Sequence, residues 1–198
     1  MRAVVNLRDD ELAERRSKGL DRWDEMWEGV LHMTPAPSVE HQRIVSALLE
    51  FLRPLLRAAR RGELVPGINV FRDAATRSDY RIPDLTFVAS GRDHILHADG
   101  VRGEGPDAVI EIRSPDDETF EKLPFYAAIG VSEVIVCDRD SRRSRIFRLA
   151  GQQYVLLQPD SEGWLQSEAL GVRMRLLESR PPRMRIEDPF DASLGVEI

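Results

Sequence analysis

One long stretch of the chain carries hydrophobic residues at helical spacing. Ile44, Val45, Leu48, Leu49, Leu52, Leu55 and Leu56 fall three and four positions apart, which predicts a helix over 39–61 with one buried face. Ser38, closing the turn PAPS, is placed to cap its start, and Pro54 is expected to kink or split it. Arg53, Arg57, Arg60 and Arg61 gather at the far end, where cations suit the helix dipole. Elsewhere the pattern is that of short strands bounded by turn residues, at 23–34, 63–72, 83–89, 107–113, 132–138, 144–149 and 152–158. Trp23 and Trp27 read as packing residues in the first of these, and a Pro-Gly pair interrupts the second. The stretch 90–105, with four glycines, reads as a loop, and a second helix is expected after Ser114-Pro115, ending near Gly130. The order helix, strands, helix, strands argues for an α/β fold whose sheet has a large antiparallel part and is flanked by helices. Residues 1–22 read as a polar arm or surface helix, 23–178 as the domain, and 179–198, containing RPPRMRIEDPFD, as a turn-rich and only partly ordered tail.

Composition narrows the class. A hydrophobic share of 42% over 198 residues is enough for a core, and 34 acidic against 28 basic residues leave a net charge of −6. That balance argues against a passive nucleic-acid coat but not against a metal-dependent nuclease, whose carboxylates an ion partly neutralises. The single cysteine, Cys137, rules out an intramolecular disulfide framework and a multi-cysteine zinc site. No apolar run approaches the roughly 20 residues of a membrane span. The opening MRAVVNLRDDELAERR lacks the apolar run of a signal peptide, so a cytoplasmic protein is expected. Only two of the basic residues, Lys18 and Lys122, are lysines. Codon bias accounts for such a count, yet it makes each lysine worth inspecting, because Lys and Arg differ in hydration and in their ability to lose a proton.

Three features stand together: Pro83-Asp84 opening one strand, Glu111 inside the next strong strand, and Lys122 on the helix after it. Two carboxylates converging from strand ends can hold a hard divalent cation, which prefers oxygen ligands and shares its shell with water and phosphate oxygens. A nearby ammonium can orient a water or offset developing negative charge. Strand alternation puts Val109, Glu111 and Arg113 on one face, so Glu111 is an acid among apolar neighbours and must be paired, ion-bound or protonated. The structural alternative is a salt bridge to Arg113 or Arg81. His41 lies in line with Ile44, Val45 and Leu48 and so points inward; it is either a satisfied core histidine or a contact to a phosphate or to a carboxylate of the site. Glu40 is either a further acid of a metal shell or simply suited to the helix dipole, Asp116, Asp117 and Glu118 either cap the next helix or bind metal, and Tyr126 either packs or touches substrate. Arg139, Arg142, Arg143, Arg145 and Arg148 form either a phosphate grip or a solvated hairpin.

The segments WEGVLHMTPAPSVEHQRIV (27–45), RIPDLTFV (81–88), GPDAVIEIRSPDD (105–117), EKLPFYAAIGVSEVIVCD (121–138) and SRIFRLAGQQYVLL (144–157) together resemble the Uma-two family of restriction-endonuclease-like proteins, within the PD-(D/E)xK nuclease superfamily. The similarity covers roughly residues 24–178. It implies a restriction-endonuclease-like α/β fold, with a four-stranded mixed core sheet flanked by helices and further strands added. It implies Mg²⁺- or Mn²⁺-dependent endonucleolytic cleavage of DNA, commonly by a homodimer. Asp84 matches the first metal carboxylate, Glu111 the second, the main-chain carbonyl of Ile112 a further ligand, Lys122 the lysine moved from strand to helix, and His41 the histidine opening the first long helix. Two departures stand out. The superfamily's usual lysine position holds Arg113, which is then an alternative for that role or a substrate contact, and Pro124 forces Lys122 into a first turn or beside a kink. These two residues motivate the rival reading, a non-catalytic nucleic-acid-binding or regulatory protein on the same scaffold; a hydrolase of RNA or of small phosphate compounds is a third.

Overall fold

The computed structural model describes residues 3–198. In chain order its elements are β1 (Ala3–Val5), α1 (Asp9–Ser17), β2 (Asp24–Trp27), β3 (Val30–Met33), α2 (Val39–Ala58), β4 (Gly62–Pro66), β5 (Val70–Phe71), β6 (Tyr80–Arg81), β7 (Leu85–Ala89), β8 (Leu96–His97), β9 (Gly100–Val101) and β10 (Ala108–Arg113). A 3₁₀ turn (Phe120–Lys122) then leads into α3 (Leu123–Ala128), followed by β11 (Glu133–Asp138), β12 (Ser144–Ala150), β13 (Gln153–Leu156), β14 (Leu165–Ser167), β15 (Val172–Leu177), β16 (Arg183–Glu187) and β17 (Gly195–Glu197).

A six-stranded mixed sheet in the order β13-β12-β11-β10-β7-β4 forms the centre. Its inner four strands are the mixed core expected of a restriction-endonuclease-like fold: β10 and β11 run parallel, and β7 and β12 lie antiparallel outside them. The parallel pair needs a crossover, which α3 supplies. That helix ends in a Schellman motif, with Val131 N–H donating to the Tyr126 carbonyl, Gly130 N–H to that of Ala127, and Gly130 at φ +82°.

Alternation along β10 and β11 sends side chains to two cores. Ala108, Ile110, Ile112, Ile135 and Cys137 meet the buried stripe of α2 together with residues of a four-stranded sheet, β14-β15-β16-β17. Val109, Val134 and Val136 meet Phe125 and Tyr126 of α3 on the other face. A seven-stranded sheet, β1-β3-β2-β6-β5-β9-β8, curls beside the second core. Its β2–β3 hairpin turns through Glu28 and Gly29 at φ +50° and +87°, the paired left-handed residues of a tight type I′ turn.

Several expectations are corrected. Pro54 does not split α2, which runs unbroken to Ala58, because Leu52 and Leu56 on either side of it are fully buried and hold both halves against the sheet. Ser38 caps the helix as expected, accepting from His41 N–H. The stretch 23–34 is a hairpin rather than one strand, and the glycine-rich 90–105 segment contains β8 and β9. The 179–198 segment adds β16 and β17, with Met184 and Ile186 facing the main core and Arg183 and Arg185 facing away. Its Pro and Arg content masks that alternation. No helix among the described residues is long and apolar enough to cross a membrane.

Candidate active site

The site lies where β7 and β10 part. Thr86 and Val109 are cross-strand partners and share a face. Extending that register by two residues brings Asp84 opposite Glu111 on the same face. The ladder ends at the Leu85–Ile110 pair, and the next step would need an N–H that Pro83 lacks. The Asp84 side chain takes over there: its Oδ2 accepts from Ile112 N–H at 2.7 Å. The start of α2 closes on this strand end, and His41 Nε2 lies 2.8 Å from Asp84 Oδ1. His41 is thus a contact to a site carboxylate rather than a core residue. Burial alone would lower its pKa, but the Asp84 carboxylate, followed by Glu111 and Asp117, raises it above the ordinary imidazole value.

Glu111 is 4% exposed and accepts from two donors, the Tyr126 hydroxyl at 2.6 Å and Lys122 Nζ at 3.2 and 3.3 Å. Its pKa is pushed up to about 7, first by burial and then, against the pull of Lys122, by the like charges of Asp84 and Glu25. Lys122 ends the 3₁₀ turn and stands at the N-cap of α3, with Pro124 in the helix's opening positions, where no N–H is required of it. Pro124 therefore places the lysine rather than displacing it. Burial works against the ammonium, but Glu111 and Glu25 outweigh it and hold the Lys122 pKa above the ordinary lysine value.

Neither arginine proposed as a partner of Glu111 reaches it. Arg113 pairs with Asp138 at 2.9 Å and lies over the Phe120 ring. Arg81 pairs with Asp79 and sits between the rings of Trp27 and Phe125. Tyr126 is fully buried, so its hydroxyl serves Glu111 and is closed to substrate. Glu40 is engaged by Arg142 and Arg43 at the surface. Asp117 accepts from the backbone of Ser114 and Thr119 and so shapes the turn before Lys122, while Glu118 bonds His32. Arg139, Arg142, Arg145 and Arg148 each have an acidic partner.

One residue of the cluster escaped the reading of the sequence. Glu25, on β2, is 4% exposed and accepts from Lys122 Nζ at 2.8 Å, from Ile82 N–H at 2.9 Å and from Trp27 Nε1 at 2.8 Å. In the stretch WDEMW a second acid, Asp24, stands beside it, so no local pattern singles it out.

The donor set suits a hard cation. Glu111 and Glu25 both pair with the Lys122 ammonium, and Asp84 adds a third carboxylate near enough to raise the Lys122 pKa, so acids outnumber the one lysine charge and a divalent ion would offset the excess. Among the described residues no group of three or more His, Cys, Asp or Glu side chains is placed to hold a metal ion. A hard cation such as Mg²⁺ needs fewer protein ligands, commonly one or two carboxylates, with water and phosphate oxygens completing its shell.

The profile of the Uma2 family, described as "Putative restriction endonuclease", matches residues 12–177. A crystal structure of a "putative nuclease belonging to DUF820" from Anabaena variabilis superposes with a TM-score of 0.59 at 18% identity, over 74% of this chain and 82% of that one. That likeness extends to the fold. No curated protein matches the chain.

Proposed function

Since the chain belongs to the Uma2 family, we propose that it is a nuclease that hydrolyses DNA phosphodiester bonds with Mg²⁺ or Mn²⁺. The observation that carries the reading is the meeting of Asp84, Glu111 and Lys122 where two strands part. Asp84, Glu111 and the Ile112 carbonyl would hold the ion, which when bound supplies charge neutralisation at phosphate and a water of lowered pKa. Asp84 has one acceptor site left on each oxygen after His41 and Ile112 N–H are served, and Glu111 keeps capacity on Oε2. His41 fixes the orientation of Asp84, and Tyr126 fixes that of Glu111. Lys122, with its raised pKa, stays protonated at neutral pH. It acts as a fixed charge that orients water and offsets negative charge on phosphate, not as a base. A homodimer, with one such site per protomer, would cut both strands.

The test is supercoiled plasmid incubated with Mn²⁺. Wild type is expected to nick and linearise it, while EDTA or Asp84→Ala lowers the rate by about two orders of magnitude or more. No cleavage by wild type, or equal cleavage by Asp84→Ala, overturns the reading. RNA and a small phosphodiester, run alongside, separate DNA hydrolysis from the other hydrolytic possibilities.

A further inference from the structure

Lys122 Nζ lies closer to Glu25, at 2.8 Å, than to Glu111, at 3.2 Å. Glu25 is also held by protein donors on both oxygens. Oε1 serves Lys122 and the Ile82 N–H, and Oε2 serves the Trp27 indole. The Trp27 ring is itself wedged, stacked on His32 at 4.2 Å with the Arg81 guanidinium 4.2 Å from its centroid. Ile82 stands two residues before Asp84. One buried carboxylate thus ties together three parts of the chain: the β2–β3 hairpin, the segment that delivers Asp84, and an amine 97 residues away in sequence.

We propose that Glu25 is a positioning residue, which anchors the Lys122 ammonium independently of Glu111 and sets the Asp84 segment against it. The proposal takes Lys122 as the amine of the nuclease site described above. The physical need is plain. Glu111 faces a like charge in Asp84 and would turn its own charge toward the ion of the proposed site. An ammonium held by Glu111 alone would lose its partner at that moment. Glu25 points its lone pairs at three protein donors, so it holds the ammonium in both situations.

The presence of only two lysines makes Lys122 directly observable. Lys18, with a side chain 57% exposed, is the internal reference, and Lys122, at 13%, is the protected amine. Reductive methylation of the metal-free protein, read by peptide mass spectrometry, gives the Lys122/Lys18 labelling ratio. Glu25→Gln is expected to raise that ratio about tenfold, the equilibrium factor of one charge-assisted hydrogen bond, and Glu111→Gln by less than about threefold. In plasmid cleavage with Mn²⁺, Glu25→Gln is expected to lower kcat about 100-fold with KM within about threefold, and to add less than about twofold in a Lys122→Met background.

A labelling ratio within about twofold of wild type, in a variant with an unchanged melting curve, overturns the proposal, and so do kinetic losses that multiply in the double variant. If Glu25→Gln does not fold, Glu25→Asp, one methylene shorter, replaces it. That variant too must raise the ratio, and an unchanged ratio overturns the proposal. The two readings fail separately. Release of Lys122 in a protein that cleaves nothing sustains the anchor and ends the nuclease reading, whereas cleavage without release does the reverse.

Discussion

Glu111→Gln distinguishes a poised acid from an ordinary buried salt bridge. In the unfolded chain Glu111 gives up its proton near 4.5, whereas in the fold it keeps it to about 7. Burial is the main cause, and the Asp84 and Glu25 carboxylates add to it against the opposing charge of Lys122. Between those two values the folded state holds a proton that the unfolded state has lost, so stability falls as pH rises through the window and levels off above 7. At roughly 1.36 kcal/mol per pH unit, the difference is about 3 kcal/mol. The side chain is 5% exposed, so solvent screening does not reduce it much. Gln has the same shape and no charge to lose. Urea unfolding in EDTA at pH 4.5 and pH 8, for both proteins, should show Glu111→Gln gaining about 3 kcal/mol on wild type between the two pH values. Any constant packing cost of the substitution cancels in that comparison, and so does the part of the His41 titration set by Asp84, its main partner. Saturating Mn²⁺ at pH 8 should then restore wild type by about 2.7 kcal/mol at a hundred times Kd and leave the variant nearly unmoved. Parallel pH curves, or wild type gaining on the variant as pH rises, would show Glu111 to be ionised and simply paired with Lys122, and the argument for a cation at this position would fall.

Three further outcomes follow from the same geometry. The Tyr126 hydroxyl, donating at 2.6 Å, lowers the Glu111 pKa, so Tyr126→Phe should raise it and move the midpoint of the stability loss above 7, read by the same unfolding series, at a cost of about 1–2 kcal/mol at pH 8. His41→Gln tests a raised imidazole pKa: the pairing with Asp84 stabilises fully below the unfolded value of 6.5 and is lost as pH rises through the folded value. Wild type should therefore lead the variant at pH 6 by less than about 1 kcal/mol, the pair being partly open to solvent, and the lead should shrink by pH 8. Arg113→Ala should leave plasmid cleavage within about threefold of wild type and cost less than about 1 kcal/mol, because its partner is Asp138 and not the site; a loss as large as that of Lys122→Met would move the lysine role to Arg113.

What the sequence disclosed depended on how local the cause was. The α2 stripe, the Ser38 cap and the apolar runs of β7, β10 and β11 are written in neighbouring residues, and the structure has them within a few positions of where the pattern puts them. Glu111 drew notice because an acid inside an apolar strand breaks a local rule, whereas Asp84 after Pro83 is ordinary turn chemistry by itself and gained meaning only beside Glu111 and Lys122. Arg113 misled because it shares Glu111's strand face, but the parallel neighbour β11 sets Asp138 beside it, and nothing within β10 encodes that. The β16 strand was hidden because its Met-Arg-Ile alternation is only five residues long and sits among prolines and arginines. Glu25 is the sharpest case. Read locally it is one charge in a polar, tryptophan-bearing strand, and its meaning comes from Ile82 and Lys122, distant in the chain and joined to it only when the seven-stranded sheet closes on the central one. A buried acid can be recognised from its own surroundings only when those surroundings are apolar. Where its neighbours are polar, the donors that make burial tolerable are what identify it, and they are fixed by topology.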